Sequence, residues 1–457
     1  MSHYGADARP LLSRRCEGAR AMPPVRASLE EETPMSWNFS TDPEFEAKLE
    51  WMRAFVRDEI LPLEVAGLSP EAYAQHTAGL KQQVRDQGLW AAHLEPELGG
   101  GGFGQLKLGL MHEILGRSAL APSIFGNNAP DSGNAELLAI GGDDFQKQRW
   151  MKPLLAGDIR SCFSMTEPGA GADPTKLTTR AVREGDEYVI NGHKWFSSNG
   201  SHADFFIVMV VTDPDAEPHR RASMILVDRD TPGVNVLRDI PVMGHTAAAG
   251  DKGHAEIRYE NVRVPASHLV GEEGDGFMLA QKRLGPGRIH HAMRWLGQGQ
   301  RAFDMLCERV VSREVSGGLL KDKQMIQDMV ATSKAELEAA RLLTLQAAWK
   351  MDQGGTKAAL TDIAIIKFWG AQVLYNVIDR AMQVHGSLGL TGDLPLEEMY
   401  RNARAARIYD GPDEVHKVTV SRRVLRDYEP AAVPTEHIPS RTEAAKKKFA
   451  ALLEAAS

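Results

Sequence analysis

Between Asp42 and about Ile159, apolar residues recur at spacings of three and four, as in Phe45, Leu49, Met52, Phe55 and Val56. An α-helix turns once in about 3.6 residues, so this spacing gathers one apolar face and predicts a helical segment. Pro62, which lacks an amide proton, interrupts it. From Ser161 the period changes. Phe205–Val211 and Ser223–Val227 are short continuous apolar runs, while Glu187–Asn191 and Ala255–Tyr259 alternate apolar and polar around Gly-Asp and Pro-Gly turns. These are strand signatures, and they predict a middle β-domain reaching to about Gly274. Helical spacing returns at Phe277. Ile326, Met329, Val330, Ser333, Leu337 and Ala340 form one buried stripe, Thr361–Val384 predicts another helix, and Leu396–Tyr400 opens the next element. The predicted organisation is a helical domain over 37–160, a β-domain over 161–274 and a helical bundle over 275–430. A disordered extension (1–36) and a tail (431–457) flank it, the latter carrying a short surface helix around Lys446–Leu453.

At 457 residues the chain has room for about two to four domains. An apolar fraction of 43% beside 25% charged residues describes a globular protein with ample core. The net charge of -8 argues against nucleic acid or an anionic membrane surface as the main partner. It leaves room for a local basic groove that takes an anionic nucleotide. Cys16, Cys162 and Cys307 are far apart and form neither a metal spacing nor a disulfide framework, which fits a reducing compartment. A cytoplasmic location is expected, or, in a eukaryote, a mitochondrial or peroxisomal matrix. No apolar run approaches the roughly 18 residues of a membrane span. The first 34 residues are rich in arginine and proline without an amphipathic stripe, so they read as an extension before a natural start near Met35.

Three segments carry chemistry. Arg407-Ile-Tyr-Asp-Gly-Pro-Asp-Glu-Val-His416 sets a carboxylate, Asp410, on a tight turn where it can face a pocket, although Asp-Gly-Pro is also an ordinary loop. Met165-Thr-Glu-Pro-Gly-Ala-Gly-Ala-Asp173 joins a strand end to a glycine-permissive loop, and Lys194-Trp-Phe-Ser-Ser198 joins an aromatic wall to two hydroxyls. Gly99-Gly-Gly-Gly-Phe-Gly104 looks like a phosphate loop but has no preceding strand, so it reads as a link between helices.

In that order and at those separations, the three segments resemble the acyl-CoA dehydrogenase family. The likeness covers roughly Phe39 to Tyr428. It implies an N-terminal helical domain, a sandwich or barrel-like middle β-domain and a C-terminal four-helix bundle. It also implies FAD as cofactor, with Phe163, Met165, Thr166, Trp195, Ser197 and Ser198 around the ring. Arg313, Gln324, Gln383, Gly386 and Glu414 would serve the dinucleotide, partly from a second subunit. Ser316-Gly-Gly318 replaces the phenylalanine usual after the arginine, and Ala172 stands where the family has a substrate-side serine. Asp410 takes the position of the catalytic base, usually Glu, with Arg288, Tyr409, Ala172 and Asp131 on the substrate side. Burial against the flavin and Tyr409 is expected to raise the acid toward neutrality once substrate excludes water. Gly285-Pro-Gly-Arg-Ile-His-His291 is expected to open a helix under the substrate.

The implied reaction is α,β-dehydrogenation of an acyl-CoA to a trans-2-enoyl-CoA. A separate electron-transfer flavoprotein is the implied acceptor, and a homodimer or homotetramer the implied assembly. Ala129-Pro-Asp-Ser-Gly-Asn134 and the two histidines narrow the likeness to a branch that in animals is fused to a kinase-like domain and associated with 4-hydroxyacyl-CoA breakdown. Two other functions on this fold are a nitroalkane-oxidase type with an aspartate base, and a non-catalytic nucleic-acid-binding relative. The net charge and the intact Asp410 oppose the latter.

Overall fold

The computed structural model describes residues 41–244, 253–430 and 442–455. The expected extension over 1–36 and Cys16 lie outside the described residues. The N-terminal part contains α1 (Pro43–Phe55), α2 (Pro70–Asp86), α3 (Gly104–Leu115), the short α4 (Ala121–Ile124), α5 (Asp131–Gly141), and the single turns α6 (Asp144–Gln146) and α7 (Lys152–Ala156). The predicted stripe is the buried face of α1: Phe45, Leu49, Met52 and Phe55 turn inward. Asp42 caps that helix by accepting from the Phe45 amide at 2.9 Å, and Pro43 supplies a first-turn residue whose missing N–H costs nothing. The glycine run before α3 links helices, as expected. The first amides of α3 meet a distant carboxylate: Gln105 and Leu106 donate to Asp352 at 2.6 and 2.9 Å.

The middle part is one eight-stranded sheet: β1 (Ser161–Ser164), β2 (Arg180–Glu184), β3 (Glu187–Ser198), β4 (Phe205–Val211), β5 (Ala222–Asp228), β6 (Val234–Asp239), β7 (His254–Pro265) and β8 (Leu269–Val270). Its order is β6-β7-β3-β2-β4-β5-β8, with β1 added parallel to β4. Strand β4 is apolar throughout because both of its faces are covered. Phe205, Ile207 and Met209 pack with Leu138, Trp150 and Leu279, whereas Phe206, Val208 and Val210 pack with Tyr188, Ile257 and Tyr259.

The C-terminal part begins with α8 (Gly276–Ser312), followed by the hairpin β9 (Glu314–Val315) and β10 (Gly318–Leu319). The helix expected to open at Gly285 starts nine residues earlier, at Gly276, and runs through Pro286. Pro286 removes one amide donor from the helix, yet Gly285 and Pro286 are buried in the packed bundle, where a Cβ on Gly285 would lie 3.1 Å from Thr356. Next comes α9 (Gln324–His385), a helical hairpin broken at Gly354 and Gly355. Its arms run antiparallel, clasped by Arg380–Glu336 at 2.6 Å and Lys350–Asp362 at 2.8 Å. Two helices close the bundle, α10 (Leu396–Ala406) and α11 (Asp413–Val424), and the tail holds α12 (Thr442–Lys448) and α13 (Ala450–Glu454).

Candidate active site

Asp410 lies in the turn between α10 and α11 with φ +54, followed by Gly411 at φ +100. The left-handed region strongly favours Gly, then Asn and Asp, over longer side chains, which gives a local reason for aspartate here. Glycine is required next, since a Cβ on Gly411 would sit 2.7 Å from His416 Nε2. The turn is held from three helices. Arg288 Nε donates to the Asp410 carbonyl at 3.1 Å, and His416 Nε2 lies 3.2 Å from the same oxygen. The buried Lys367 ammonium donates to the Ala406 and Gly411 carbonyls at 2.8 and 3.1 Å. Arg407 Nε donates to Asp413 Oδ2 at 2.7 Å and closes the far side.

The Asp410 side chain remains 24% exposed, with Oδ2 3.3 Å from His291 Nε2. Burial pushes its proton affinity up, as expected, but the charges of Arg283, Arg288 and Lys367 outweigh it and hold the carboxyl below the usual range. Sequence reasoning foresaw the burial and not the cations. Burial in turn lowers Lys367 to about 8, against the pull of Asp410 and Asp413.

On the β-domain edge, the two segments expected at a flavin are stapled together. The Trp195 amide donates to the Thr166 carbonyl at 3.0 Å, and Lys194 Nζ donates to the Met165 carbonyl at 2.7 Å. Lys194 also meets Glu167 Oε1 at 2.9 Å, and the Glu167 carboxylate accepts from Thr178 and Thr179 as well. A register shift between Lys194 and Ser197, with Phe196 at φ +49, turns the strand locally. Met165, Thr166 and Trp195 stay partly exposed, while Ser197 is buried and 3.1 Å from Ser164 Oγ. Ser198 Oγ lies 2.9 Å from His254 Nδ1. Past Thr166, a Cβ at Gly169 or Gly171 would meet nothing within 4 Å, so this loop and the exposed Ala172 leave the backbone open to a planar, hydrogen-bonding group such as FAD.

Between those two regions runs a polar wall. Arg283 lies over the Phe163 ring at 4.3 Å and donates to Asn134 Oδ1 at 3.1 Å. Asn134 donates to Ser161 Oγ at 2.9 Å. Asp131 accepts from the Ser161 amide and hydroxyl at 2.8 and 2.6 Å and from Asn128 at 3.2 Å, so its carboxylate ties α5 to β1. Glu136, on the same helix, is pushed up to about 8 by burial against the attraction of Arg283. Sequence reasoning passed over Arg283, Lys367 and Glu136. The pairing of Arg283 with Arg288 around Gly285-Pro-Gly was the one available signal for the first.

Arg313, Gln324, Gln383 and Gly386 are exposed at one end of the bundle, where α8 ends and both arms of α9 meet. The Tyr409 amide donates to the Ala405 carbonyl at 3.2 Å and its hydroxyl accepts from Trp295 Nε1 at 2.9 Å, and Glu414 is exposed in the first turn of α11. Along α8 the distance from His291 to Arg313 is roughly 33 Å at ~1.5 Å per residue, so the two ends of the bundle serve different places. Among the described residues no group of His, Cys, Asp and Glu could hold a metal ion, and no helix is long and apolar enough to cross a membrane.

Three family descriptions match the chain in succession: "Acyl-CoA dehydrogenase, N-terminal domain" over 42–158, "middle domain" over 162–262 and "C-terminal domain" over 274–425. The Mycobacterium tuberculosis protein named probable acyl-CoA dehydrogenase FadE2 is 45% identical over 361 residues, 77% of this chain and 87% of its own. Acyl-CoA dehydrogenase family member 10 of Mus musculus is 41% identical over 387 residues, 82% of this chain but 36% of its own length. A solved Mycobacterium abscessus chain assigned to the acyl-CoA dehydrogenases superposes with a TM-score of 0.81 at 40% identity, covering 86% of this chain and 100% of that one. The structure described as "PigA with FAD and proline" shares the fold, with a TM-score of 0.74 at 24% identity over 85% of this chain and 99% of that one.

Proposed function

Because the chain belongs to the acyl-CoA dehydrogenase family, we propose that it is a FAD-dependent enzyme that converts an acyl-CoA to the trans-2-enoyl-CoA. One observation carries this reading. A reachable carboxylate, Asp410, is fixed on a left-handed turn and held anionic by the cations around it.

FAD, when bound, supplies the acceptor for the substrate's β-hydride. Met165, Thr166 and Trp195 would hold its ring at the stapled edge of the β-domain, with Phe163 behind them beneath Arg283. Asp410 accepts the α-proton through a carboxylate oxygen. Among the described residues the Asp410 amide takes no part in the backbone bonds that build the turn, so it can donate to the thioester carbonyl and acidify that proton. Arg288 steadies the same peptide from the other side.

Arg313, Gln324, Gln383 and Gly386 would meet the dinucleotide of a second copy, since they lie at the far end of α8 from the base. The surrounding surface supports a homodimer or larger assembly. Met325 and Leu390 are 77% and 71% exposed, and an apolar cavity of about 320 Å³ opens between Cys307, Val310, Ile326 and Val330. Electrons would leave to a separate electron-transfer flavoprotein.

The test is an anaerobic titration of the flavin-loaded protein with straight-chain, branched and 4-hydroxy acyl-CoAs. Bleaching of the oxidised flavin band by one of them is the expected result and ranks the substrates. No bleaching by any, with a flavin still reducible by dithionite, would overturn the acyl-CoA assignment.

A further inference from the structure

Asp410 is not approached by substrate-side groups alone. His291, three residues beyond Arg288 on α8, faces Asp410 Oδ2 through Nε2 at 3.3 Å. Its other ring nitrogen, Nδ1, lies 3.1 Å from Arg294 Nη2. A guanidinium only donates, so Nδ1 must present its lone pair to Arg294 and the single ring proton must sit on Nε2, toward the carboxylate. Arg294 is fixed in turn, because Nη1 meets His112 Nδ1 at 3.1 Å. The His112 ring stacks on His290 at 4.4 Å, and His290 Nε2 lies 3.0 Å from Gln105 Oε1. Gln105 is anchored at the start of α3, where its amide donates to Asp352 at 2.6 Å. A continuous row of side chains thus ends on the Asp410 carboxylate.

We propose that His291 is a positioning residue for Asp410: with Arg294 occupying Nδ1, it presents Nε2–H to Oδ2 and leaves Oδ1 to receive the substrate proton. The 3.3 Å separation is long for a hydrogen bond and of the kind that tightens when substrate arrives. During the step the α-carbon–hydrogen bond breaks and its proton goes to Oδ1. His291 neither gains nor loses one, because a second ring proton would have to displace Arg294. Burial and Arg294 push the ring down to about 3, in keeping with a ring that stays neutral.

The charged and titratable groups facing this pair are Arg283, Arg288 and Arg294 on α8, Lys367 on α9, His416 on α11, and Tyr409 beside the carboxylate. These charges all remain when His291 alone is replaced, Arg294 keeping its contact to His112, so comparing a variant that restores an N–H donor with one that does not isolates the effect of that N–H. The proposal rests on the reading of Asp410 as the base, and its test separates the two.

In the flavin-loaded protein, the Asp410 carboxyl band is followed by infrared titration, assigned by its loss in Asp410→Asn. His291→Leu removes the donor and should raise the carboxyl midpoint by about one pH unit. His291→Gln, whose amide nitrogen reaches the place of Nε2, should bring the midpoint back toward the parent value. The acid limb of the flavin-bleaching rate with octanoyl-CoA should move in the same direction. A Leu variant with an unchanged midpoint would overturn the proposal, as would Leu and Gln variants shifted alike. A further check needs no variant: ¹⁵N-histidine spectra should show His291 as the neutral Nε2–H tautomer between about pH 5.5 and 8, and an Nδ1–H or cationic ring would refute it. If no acyl-CoA bleaches the parent flavin, the functional reading fails, while the infrared midpoints still decide the role of His291.

Discussion

Two carboxylates in this molecule sit among cations, and they are used in opposite ways. Glu167, in the β-domain loop, is 3% exposed and fully engaged: Lys194 and the Thr179 amide reach Oε1, and the Thr178 amide and hydroxyl reach Oε2. Burial opposes its charge, yet Lys194 and the threonine donors hold it at about 2. Asp410, in the bundle, is also kept charged, but Arg288 and Lys367 direct their hydrogen bonds at backbone carbonyls of the turn. A carboxylate whose lone pairs are all taken is a fastener. One held anionic by charges that leave its oxygens reachable can still accept a proton.

The sharpest way to break this comparison is at the base. Asp410→Asn keeps a residue that tolerates the left-handed turn and removes the proton acceptor, so substrate-driven flavin bleaching should fall about 10³-fold or more with little change in thermal midpoint. Retained turnover would remove Asp410 from its role. At the other carboxylate the balance should reverse. Glu167→Gln leaves the fully buried Lys194 without its counter-charge and should cost about 3–5 kcal/mol in denaturant unfolding. Flavin should be released with it, because Lys194 also positions the Met165 carbonyl.

Lys367→Met tests the link between the two kinds of site. The buried Ala406 carbonyl and the partly buried Gly411 carbonyl lose their donor, and stability should fall by about 1–3 kcal/mol. The Asp410 carboxyl should at the same time titrate at higher pH, since one of its cations is gone.

A pH-dependent effect concerns Glu136, whose proton affinity is raised in the fold from 4.5 to about 8. Between those values the folded chain binds more protons than the unfolded one, so this group makes stability fall as pH rises, by ~1 kcal/mol per pH unit. Glu136→Gln should flatten that slope in unfolding curves taken from pH 5 to 8 (a window of roughly three units). An unchanged slope would mean that Arg283 neutralises the carboxylate in the fold.

Particular residues show how much could be read beforehand. The stripe of α1 and the double-sided apolar run of β4 followed from spacing, because burial imposes the helix and strand periods directly on the sequence. The helix that passes through Pro286 did not, since a local proline signal is overridden by packing that local sequence cannot reveal. Asp131 stood in a polar segment that seemed apt for substrate; in the fold its carboxylate fastens α5 to β1.

The amino-acid sequence by itself determined the three successive segments, the family and the acid on its turn, all of which depend on local periodicity and short motifs. Only the tertiary structure decided which cations surround Asp410. Arg283 and Arg288 come from one helix and Lys367 from another, so their fields sum only after α8 and α9 have packed around the turn. Electrostatic influence falls with distance in space rather than along the chain, and that distance is set by the fold.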